Sequence, residues 1–215
     1  MSNTTQSRDD YWDSYYLGRC SEAEKEPPSQ FATFMVQELA PDFVIFDVGC
    51  GSARDSLFFS LYGFDVVGFD GCPSAVKLAE GKAKFLGQTS VTFRESMTSG
   101  SEIYGAIDQQ KDKNICVYAR FFLHAINDAE QSHFFEQLAA HLKVGDMLAF
   151  EYRNDHDKGI PKIAEPHYRR YQPSVQVNTQ LETLGFETIY AIDGKGFAKY
   201  KTEDAEVSRG IFKKL

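Results

Sequence analysis

Short apolar runs alternate along this chain with longer stretches in which apolar residues recur every three or four positions. The first run, at 43–46, contains only aromatic and β-branched residues, and it follows Pro41 and Asp42, which end a helical pattern over 31–39. A glycine-containing turn, a second helical pattern and a second apolar run follow. In full, the pattern predicts helices at 31–39, 55–62, 73–86, 128–142 and 174–184, and strands at 43–46, 64–69, 91–93, 115–118, 147–152, 187–193 and 208–213.

This alternation predicts an α/β fold in which a mostly parallel sheet of seven strands has helices on both faces. Parallel neighbours need crossover connections, which are usually helical and right-handed. The expected architecture is therefore a Rossmann-like, doubly wound sheet. The last two strands, at 187–193 and 208–213, lie close in sequence, so we expect one of them to run antiparallel at the edge of the sheet.

Length and composition fit a single folded domain over residues 1–215. The chain is 42% hydrophobic and 25% charged, which is the balance of an ordinary globular protein. A chain of 215 residues can bury one substantial core but is short for two enzymatic domains. Within the domain, 1–30 is predicted to form an aromatic lid segment and a polar loop at 21–30, and 153–172 an irregular loop that binds substrate.

Charge, hydropathy and cysteine spacing disfavour several kinds of partner and of structural site. A net charge of −8 disfavours a nucleic-acid partner, because that affinity comes largely from Lys and Arg. No apolar run approaches the roughly 20 residues that span a bilayer, and the N-terminus lacks the apolar core of a signal peptide, so we expect a cytoplasmic protein with no membrane partner. Cys20, Cys50, Cys72 and Cys116 form no Cys-x-x-Cys pair, and we predict neither a disulfide framework nor a metal site.

The turn after the first strand carries two glycines, and an acid stands about twenty residues further on. Gly49 and Gly51 allow a sharp turn and a close approach to a ligand, and Asp70 is placed to accept hydrogen bonds from ribose hydroxyls. Both a dinucleotide and S-adenosylmethionine would suit such a loop. A dinucleotide fingerprint needs a third glycine where this chain has Arg54, and Asp47 suits a positive ammonium group better than a pyrophosphate.

The segment Asp47-x-Gly49-Cys50-Gly51-x-x-Arg54-Asp55 resembles the first motif of the class I S-adenosylmethionine-dependent methyltransferases. The resemblance covers roughly 31–152 and implies their fold and their cofactor, S-adenosylmethionine. Ser96 departs from the acid that the family often has after the third strand, where Glu95 could substitute. By this resemblance, the cofactor-binding residues are Asp47, Gly49, Cys50, Gly51 and Arg54 at the methionine part, Asp70 and Gly71 at the ribose, and Ser96 and Met97 at the adenine.

An aromatic segment near the N-terminus is a second feature shared with small methyltransferases. Residues 11–16 contain Trp12, Tyr16 and two further tyrosines, and those enzymes often carry a similar Trp-Asp-x-x-Tyr helix. The resemblance implies that Trp12 and Tyr16 cover the cofactor and exclude water. Alternatively, the rings anchor the first helix on the core.

Candidate catalytic and acceptor-binding residues follow the fourth and fifth predicted strands. His124 is the candidate general base, because its ordinary pKa lies near neutrality, and Arg120 is a candidate for both catalysis and cofactor binding. Against this, a lone histidine is more often a core or capping residue, and an acceptor that is already anionic needs no base. The residues of the basic loop that are predicted to bind an anionic acceptor, unless each forms a surface ion pair, are Arg153, His167, Arg169 and Arg170.

These features predict an S-adenosylmethionine-dependent methyltransferase, monomeric or homodimeric, that methylates an oxygen of a small anionic molecule. The acceptor would be phosphorylated, phosphonylated or carboxylated, and a saccharide-linked acceptor is one option. Residues 118–121 lack the Asn-Pro-Pro-Tyr or Asp-Pro-Pro-Tyr signature of amino-group methylation, which favours oxygen. Two alternatives are an NAD-dependent oxidoreductase and a non-catalytic S-adenosylmethionine-binding protein that acts through a protein partner.

Overall fold

The computed structural model describes residues 8–18, 26–163 and 166–215. Cys20 and residues 21–25 of the predicted loop lie outside this part of the chain, as do residues 1–7 of the lid segment and 164–165 of the substrate loop. The described helices are α1 (Arg8–Leu17), α2 (Gln30–Glu38), α3 (Arg54–Leu61), α4 (Pro73–Phe85), α5 (Glu102–Asp108), α6 (Asp128–His141) and α7 (Ser174–Thr183).

Nine strands are described, seven in a large sheet and two in a small hairpin. All seven predicted strands and all five predicted helices are present, with bounds that differ by at most two residues. The strands are β1 (Phe43–Val48), β2 (Asp65–Asp70), β3 (Val91–Glu95), β4 (Asn114–Arg120), β5 (Met147–Arg153), β6 (Phe186–Gly194), β7 (Lys199–Tyr200), β8 (Glu203–Asp204) and β9 (Val207–Lys214).

Polar and cyclic residues mark where the helices begin. The Ser29 hydroxyl accepts a hydrogen bond from the Ala32 amide at 2.9 Å and starts α2. Asn127 and Glu130 form a reciprocal capping box at the start of α6, and Pro73 occupies the first turn of α4. None of the described helices is both long and apolar enough to cross a membrane.

The large sheet has the order β3-β2-β1-β4-β5-β9-β6 and confirms the predicted doubly wound fold. Strands β1 to β5 are parallel to one another, and β9 is antiparallel to both of its neighbours, β5 and β6. The strand order reverses between β1 and β4. In such sheets a crevice opens at this reversal, beyond the carboxyl ends of the strands.

The position of the antiparallel strand differs from the prediction by one place. The late strands do pair antiparallel, but β9 lies inside the sheet and β6 forms the edge. The burial patterns explain this order: Val207 to Phe212 of β9 are all buried, whereas the residues of β6 alternate between more and less exposed. A strand buried on both faces belongs in the interior of a sheet, and an alternating strand can occupy its edge.

The core consists of two apolar layers, one on each face of the sheet. Alternate residues of β1 point to opposite layers, with Phe46 in one and Ile45 in the other. Helices α5 to α7 cover the first face, and α2 to α4 cover the second. A third, smaller cluster contains Ala198, Ala205 and Val207, and Phe121 packs against it from the carboxyl end of β4.

Candidate active site

A cavity of about 730 Å³ opens where the strand order reverses, at the carboxyl ends of β1, β2 and β4. Its walls come from the loops after these strands, from the loop after β3 and from α1. The cavity is large enough for a small-molecule ligand. All the residues predicted to bind the cofactor lie in its lining: Trp12, Tyr16, Asp47, Gly49, Cys50, Gly51, Arg54, Asp70, Gly71, Ser96, Met97 and Arg120.

The glycine loop has a backbone that requires glycine at two positions. Gly49 and Gly51 have φ angles of 76° and 53°, in the left-handed region. A Cβ atom at Gly49 would come within 2.8 Å of the Phe122 ring, and one at Gly51 would collide with the Tyr16 hydroxyl. The Gly49 amide also donates to the Phe69 carbonyl at 2.8 Å. The loop is therefore tied to β2 and is approached closely by side chains from two other segments.

Asp70 links the glycine loop to the loop after β2. One carboxylate oxygen accepts from the Gly51 amide and the other from the Cys72 amide, each at 2.9 Å. Burial raises the pKa of this carboxyl group, and the two amides partly offset the effect. Each oxygen retains an acceptor position, and Asp70 lines the cavity. This arrangement fits a ligand with two neighbouring hydroxyls, such as a ribose.

Asp47 is a buried carboxyl group that has no ion-pair partner in the described part of the chain. Its carboxyl group accepts a hydrogen bond from the Ser56 hydroxyl. Burial raises its pKa to about 7, and the nearby Asp55 and Asp70 act in the same direction, whereas Arg54 opposes them. A positively charged ligand group would favour the ionised form. The acid therefore fits the ammonium group of S-adenosylmethionine.

Asp55 carries hydrogen bonds that motif comparison did not predict. Its carboxylate accepts from the Ser29 amide at 2.8 Å, from the Ser29 hydroxyl at 2.7 Å and from the Tyr118 hydroxyl at 2.8 Å. Arg54 lies 3.2 Å away. Burial raises the pKa of Asp55, but Arg54, Arg120 and the Ser29 hydrogen bonds outweigh it, and the net shift is downward. Asp55 is therefore an anion that holds α2, α3 and β4 together beneath the cavity.

The predicted adenine-binding residues lie beside the ribose-binding position. A Cβ atom at Gly71 would collide with the sulfur of Met97, so these two residues are in close contact. The Ser96 amide donates to the Asp70 carbonyl at 2.9 Å, and the Ser96 hydroxyl donates to the Met97 carbonyl at 3.1 Å. Glu95, the predicted substitute, does not line the cavity. Met97 lines the cavity and offers an adenine an apolar contact at this position.

Helix α1 crosses the cavity between α4 and the loop after β5. Asp13 accepts a hydrogen bond from the Ser74 hydroxyl at the start of α4. At the other side, the His167 ring stacks on Tyr11 with a centroid distance of 4.4 Å and meets the edge of Trp12 at 5.3 Å. The rings of α1 thus both cover the cavity and anchor the helix, as each of the two interpretations of this segment requires.

Most of the expected acceptor-binding arginines are engaged by other side chains. Arg153 donates to Asp157 at 2.8 Å and also to Glu203. Arg170 donates to Asp128 and Gln131. None of Arg153, His167, Arg169 and Arg170 lines the cavity. The structure therefore does not bring the four residues together as a basic pocket. Arg169 has no carboxylate partner among the described residues, and His167 lies in the same loop, so these two remain the candidates for acceptor binding.

His124 is buried and does not line the cavity. Its Nδ1 atom accepts a hydrogen bond from the Arg153 amide at 3.3 Å, so the ring proton is on Nε2. Burial lowers its pKa well below the ordinary value, and Arg153, Arg169, His167 and Arg120 lower it further. A neutral imidazole whose basic nitrogen is already bonded cannot accept a proton from an acceptor. This geometry argues against the predicted role as general base.

Comparison with known proteins gives the same class as the fold and the site. Residues 45–145 match the family model described as a methyltransferase domain. This match covers just under half of the chain, and together with the sheet order and the cavity it makes the chain similar to the class I S-adenosylmethionine-dependent methyltransferases. S-adenosylmethionine is the cofactor of this class, and Asp47, Asp70 and Met97 fit it.

A curated relative gives a more particular comparison. Over 96 residues the chain is 31% identical to the 2-heptyl-1-hydroxyquinolin-4(1H)-one methyltransferase of Mycobacteroides abscessus. The aligned part covers 41% of this chain and 42% of that protein, so the chain spans about two fifths of the curated relative that it matches.

Solved structures share the fold over nearly the whole chain at low identity. An S-adenosylmethionine-dependent methyltransferase from Methanosarcina mazei is 21% identical, with 85% of this chain and 97% of that chain covered and a TM-score of 0.69. The CcbJ methyltransferase from Streptomyces caelestis is 13% identical, with complete coverage of both chains and a TM-score of 0.71. The [4+2]-cyclase SpnF is 15% identical, with coverage of 98% and 97% and a TM-score of 0.73. A fold shared with a cyclase does not by itself define the reaction.

Proposed function

We propose that this protein transfers the methyl group of S-adenosylmethionine to an oxygen of a small acceptor that carries negative charge. The observation that carries the proposal is the cavity, which brings the glycine loop, Asp70 and the buried Asp47 together beneath the aromatic helix α1. These groups match the backbone, ribose and ammonium requirements of one cofactor. The matched methyltransferase domain supports the same conclusion.

Each part of the cofactor has a partner of suitable chemistry in the cavity. We assign the ribose hydroxyls to Asp70, the ammonium group to Asp47 and the adenine to the side of Met97. When bound, the cofactor supplies a methyl group on a positively charged sulfur, which leaves as a neutral thioether. The contribution of Trp12 and Tyr16 is to cover the site and to exclude water from it.

The proposed acceptor oxygen is ionised before transfer. Methyl transfer is an in-line displacement with a good leaving group, so positioning and desolvation suffice for an anionic nucleophile. The hydrogen bond at His124 Nδ1 favours such an acceptor, because no proton then has to be removed by that ring. The hydroxylated substrate in the name of the curated relative supports a small hydroxylated acceptor here.

The charges around the cavity favour a single negative charge on the acceptor. Among the described residues of the lining, six are acidic and two are arginines, so a phosphate or phosphonate dianion would meet repulsion. An ionised hydroxyl or a carboxylate remains compatible. Arg120 lines the cavity. We propose that Arg169, which lies in the loop that contacts Tyr11, attracts the acceptor. The acidic lining residues are Asp13, Glu26, Asp47, Asp55, Asp70 and Glu130.

The first experiment tests the cofactor and the reaction together. Calorimetric titration with S-adenosylhomocysteine should show one site, and S-adenosylmethionine labelled in its methyl group should transfer label to members of a panel of phenols, N-hydroxy heteroaromatics and carboxylates. A parallel panel of primary amines serves as the comparison for the methylated atom. Absence of binding at millimolar ligand would reject the proposal, and label transfer to the amines alone would reject oxygen as the acceptor.

The second experiment tests the charge of the acceptor. Arg169→Met should raise the acceptor KM by about tenfold, in the range of one charge-assisted hydrogen bond, and should leave kcat and S-adenosylhomocysteine binding unchanged. Arg94→Met is the matched control, because Arg94 lies on β3, with three strands between it and β5, whose loop carries Arg169. Equal KM values in the two variants would contradict the role of Arg169.

A further inference from the structure

Three charged side chains form a row across neighbouring strands at the edge of the cavity. In register, Arg120 of β4 pairs with Glu151 of β5, and Glu151 pairs with Arg209 of β9. The Arg120 Nε atom donates to one oxygen of Glu151 at 2.7 Å, and the Arg209 Nε atom donates to the other at 2.5 Å. Glu151 is 0% exposed, and these two arginines are its ion-pair partners among the residues that the structure describes.

The outer member of the row is fixed by its surroundings. The Arg209 guanidinium lies over the Phe31 ring at 5.2 Å and over the Phe197 ring at 4.9 Å, and its terminal nitrogen donates to the Phe197 carbonyl at 2.7 Å. This position depends on β9, which lies between β5 and β6. The outer end of the row is therefore held in place by packing, and it lies outside the cavity lining.

The inner member of the row keeps donors for a ligand. Arg120 lines the cavity and stacks on the Phe121 ring at 4.2 Å. The Arg120 side chain donates to Glu151 through Nε, and its terminal nitrogens have no partner among the residues that the structure describes. Two cations and one anion leave the row with one net positive charge. Arg54, the other arginine of the described lining, is paired with Asp55 at 3.2 Å. Arg120 is therefore the lining arginine whose positive charge is available to an anionic ligand.

We propose that Glu151 and Arg209 are positioning residues for the carboxylate of the cofactor, and that both act through Arg120. Glu151 fixes the direction of the Arg120 guanidinium. Arg209 offsets the charge of Glu151, so that Arg120 keeps its attraction for an anion. Arg120 and Arg54 both act on the buried Asp55, which places Arg120 at the methionine end of the cavity. This inference rests on the proposed function, since it requires S-adenosylmethionine as the ligand.

Two ligands that differ in the amino-acid part separate positioning from a general structural effect. S-adenosylhomocysteine carries the carboxylate, whereas 5′-methylthioadenosine has the same adenosine and thioether without it. Arg209→Met keeps the apolar stem and should weaken S-adenosylhomocysteine binding by about tenfold, the effect of roughly one charge-assisted hydrogen bond. Glu151→Asp keeps the charge but draws the carboxylate back, and should act in the same direction. Both variants should bind 5′-methylthioadenosine within twofold of the wild type.

A double-mutant cycle tests whether the effect passes through Arg120. In an Arg120→Met background, Arg209→Met should cause no further loss of S-adenosylhomocysteine affinity. Arg94→Met serves as the control and should change neither ligand. An equal loss for both ligands, no loss for either, or additive losses in the double variant would overturn the inference. If Arg209→Met does not fold, Glu151→Asp carries the same comparison.

The outcome for the wild type separates this inference from the proposed function. Failure of the wild-type protein to bind S-adenosylhomocysteine would overturn the proposed function itself. Normal binding by the wild type, with the same ratio of the two affinities in every variant, would overturn only the roles of Glu151 and Arg209.

Discussion

The cavity and the loop after β5 contain the same kinds of charged residue in opposite situations. In the cavity, the buried Asp47 and the half-buried Asp70 have hydrogen bonds but no ion-pair partner in the described chain. In the loop, the buried Asp157 is paired with both Arg153 and Lys162. Removing one partner of a compensated buried pair destabilises the fold, whereas acids left without an ion-pair partner are available to a ligand. The contrast predicts which substitutions will affect stability and which will affect binding.

The largest expected effect is on stability, from Asp157→Asn. Asp157 is 0% exposed and accepts from Arg153 at 2.8 Å and from the Glu206 amide at 2.9 Å, while Lys162 lies 2.7 Å away. Removing one partner of a buried ion pair costs about 3–5 kcal/mol. The melting temperature should fall by roughly 10 °C for a chain of this size. Calorimetric titration should show S-adenosylhomocysteine affinity within twofold of the wild type.

Asp128→Asn is the matched control for this prediction. The Asp128 side chain is 91% exposed and pairs with Arg170 at the surface, so its removal should cost less than about 1 kcal/mol. The distinction between the two regions would fail if Asp157→Asn left the melting temperature unchanged and weakened cofactor binding instead.

The next effect is on binding, from Asp70→Asn. The amide group can no longer accept from both Gly51 and Cys72 while also accepting from two ribose hydroxyls. Loss of roughly two charge-assisted contacts predicts S-adenosylhomocysteine binding that is about 100-fold weaker. Asp65→Asn, at the exposed start of the same strand, should leave the affinity unchanged, because Asp65 pairs with Lys113 at the surface and does not line the cavity. Affinities within threefold of each other in the two variants would be evidence against Asp70 as a cofactor ligand.

Asp47 predicts a pH dependence of about tenfold per pH unit in cofactor affinity. Its pKa is raised to about 7 in the unliganded protein, and a bound ammonium group would lower it, so binding releases a proton below that pH. Affinity should therefore rise as the pH increases from 5.5 to 7 and become constant above about 7.5. Titrations across this range measure the slope. In Asp47→Asn the slope should disappear, and its persistence would assign the dependence to another group.

The same carboxyl group has the opposite effect on the stability of the unliganded protein. Its pKa in the folded state, about 7, lies above the ordinary value of 3.8, so the folded state binds this proton more tightly than the unfolded chain does. Its contribution to stability is therefore complete below pH 4 and is lost as the pH rises towards 7. The wild type should therefore lose stability relative to Asp47→Asn between pH 5 and pH 8, and denaturation of both proteins at the two pH values measures this loss.

The sequence predicts the cavity better than the loop for a physical reason. Gly49, Gly51 and Asp70 act where two neighbouring parallel strands end, and the order of strands and helices brings those ends together. The state of Arg153 depends instead on Glu203, which lies 50 residues away in a hairpin that the hydrophobic pattern does not reveal. Local pattern shows which residues are charged. It does not show which of them are paired in the folded protein.

Elements without a clear apolar pattern in the sequence limited the prediction of the fold in the same way. Helix α5 has seven residues, too few for a repeat of apolar positions to be distinguished from chance. The internal position of β9 depends on burial of both its faces, and its sequence, with Ser208, Arg209 and Gly210, does not read as a uniformly apolar run. Arg209 is tolerated there because Glu151 neutralises it.

The smallest expected effect is that of His124→Asn, and it tests whether the reaction uses a histidine base. The asparagine carbonyl oxygen can replace Nδ1 as the acceptor of the Arg153 amide hydrogen bond. With an acceptor from the label-transfer panel, kcat should remain within threefold of the wild type and its pH profile should be unchanged. His124→Leu should leave the buried amide without a partner and cost about 1–3 kcal/mol of stability, still without a change in pH profile. If His124→Asn instead lowered kcat by 100-fold while S-adenosylhomocysteine affinity stayed normal, the imidazole would have to reach the acceptor in the ternary complex, and the separation between a binding cavity and a structural loop would fail at this residue.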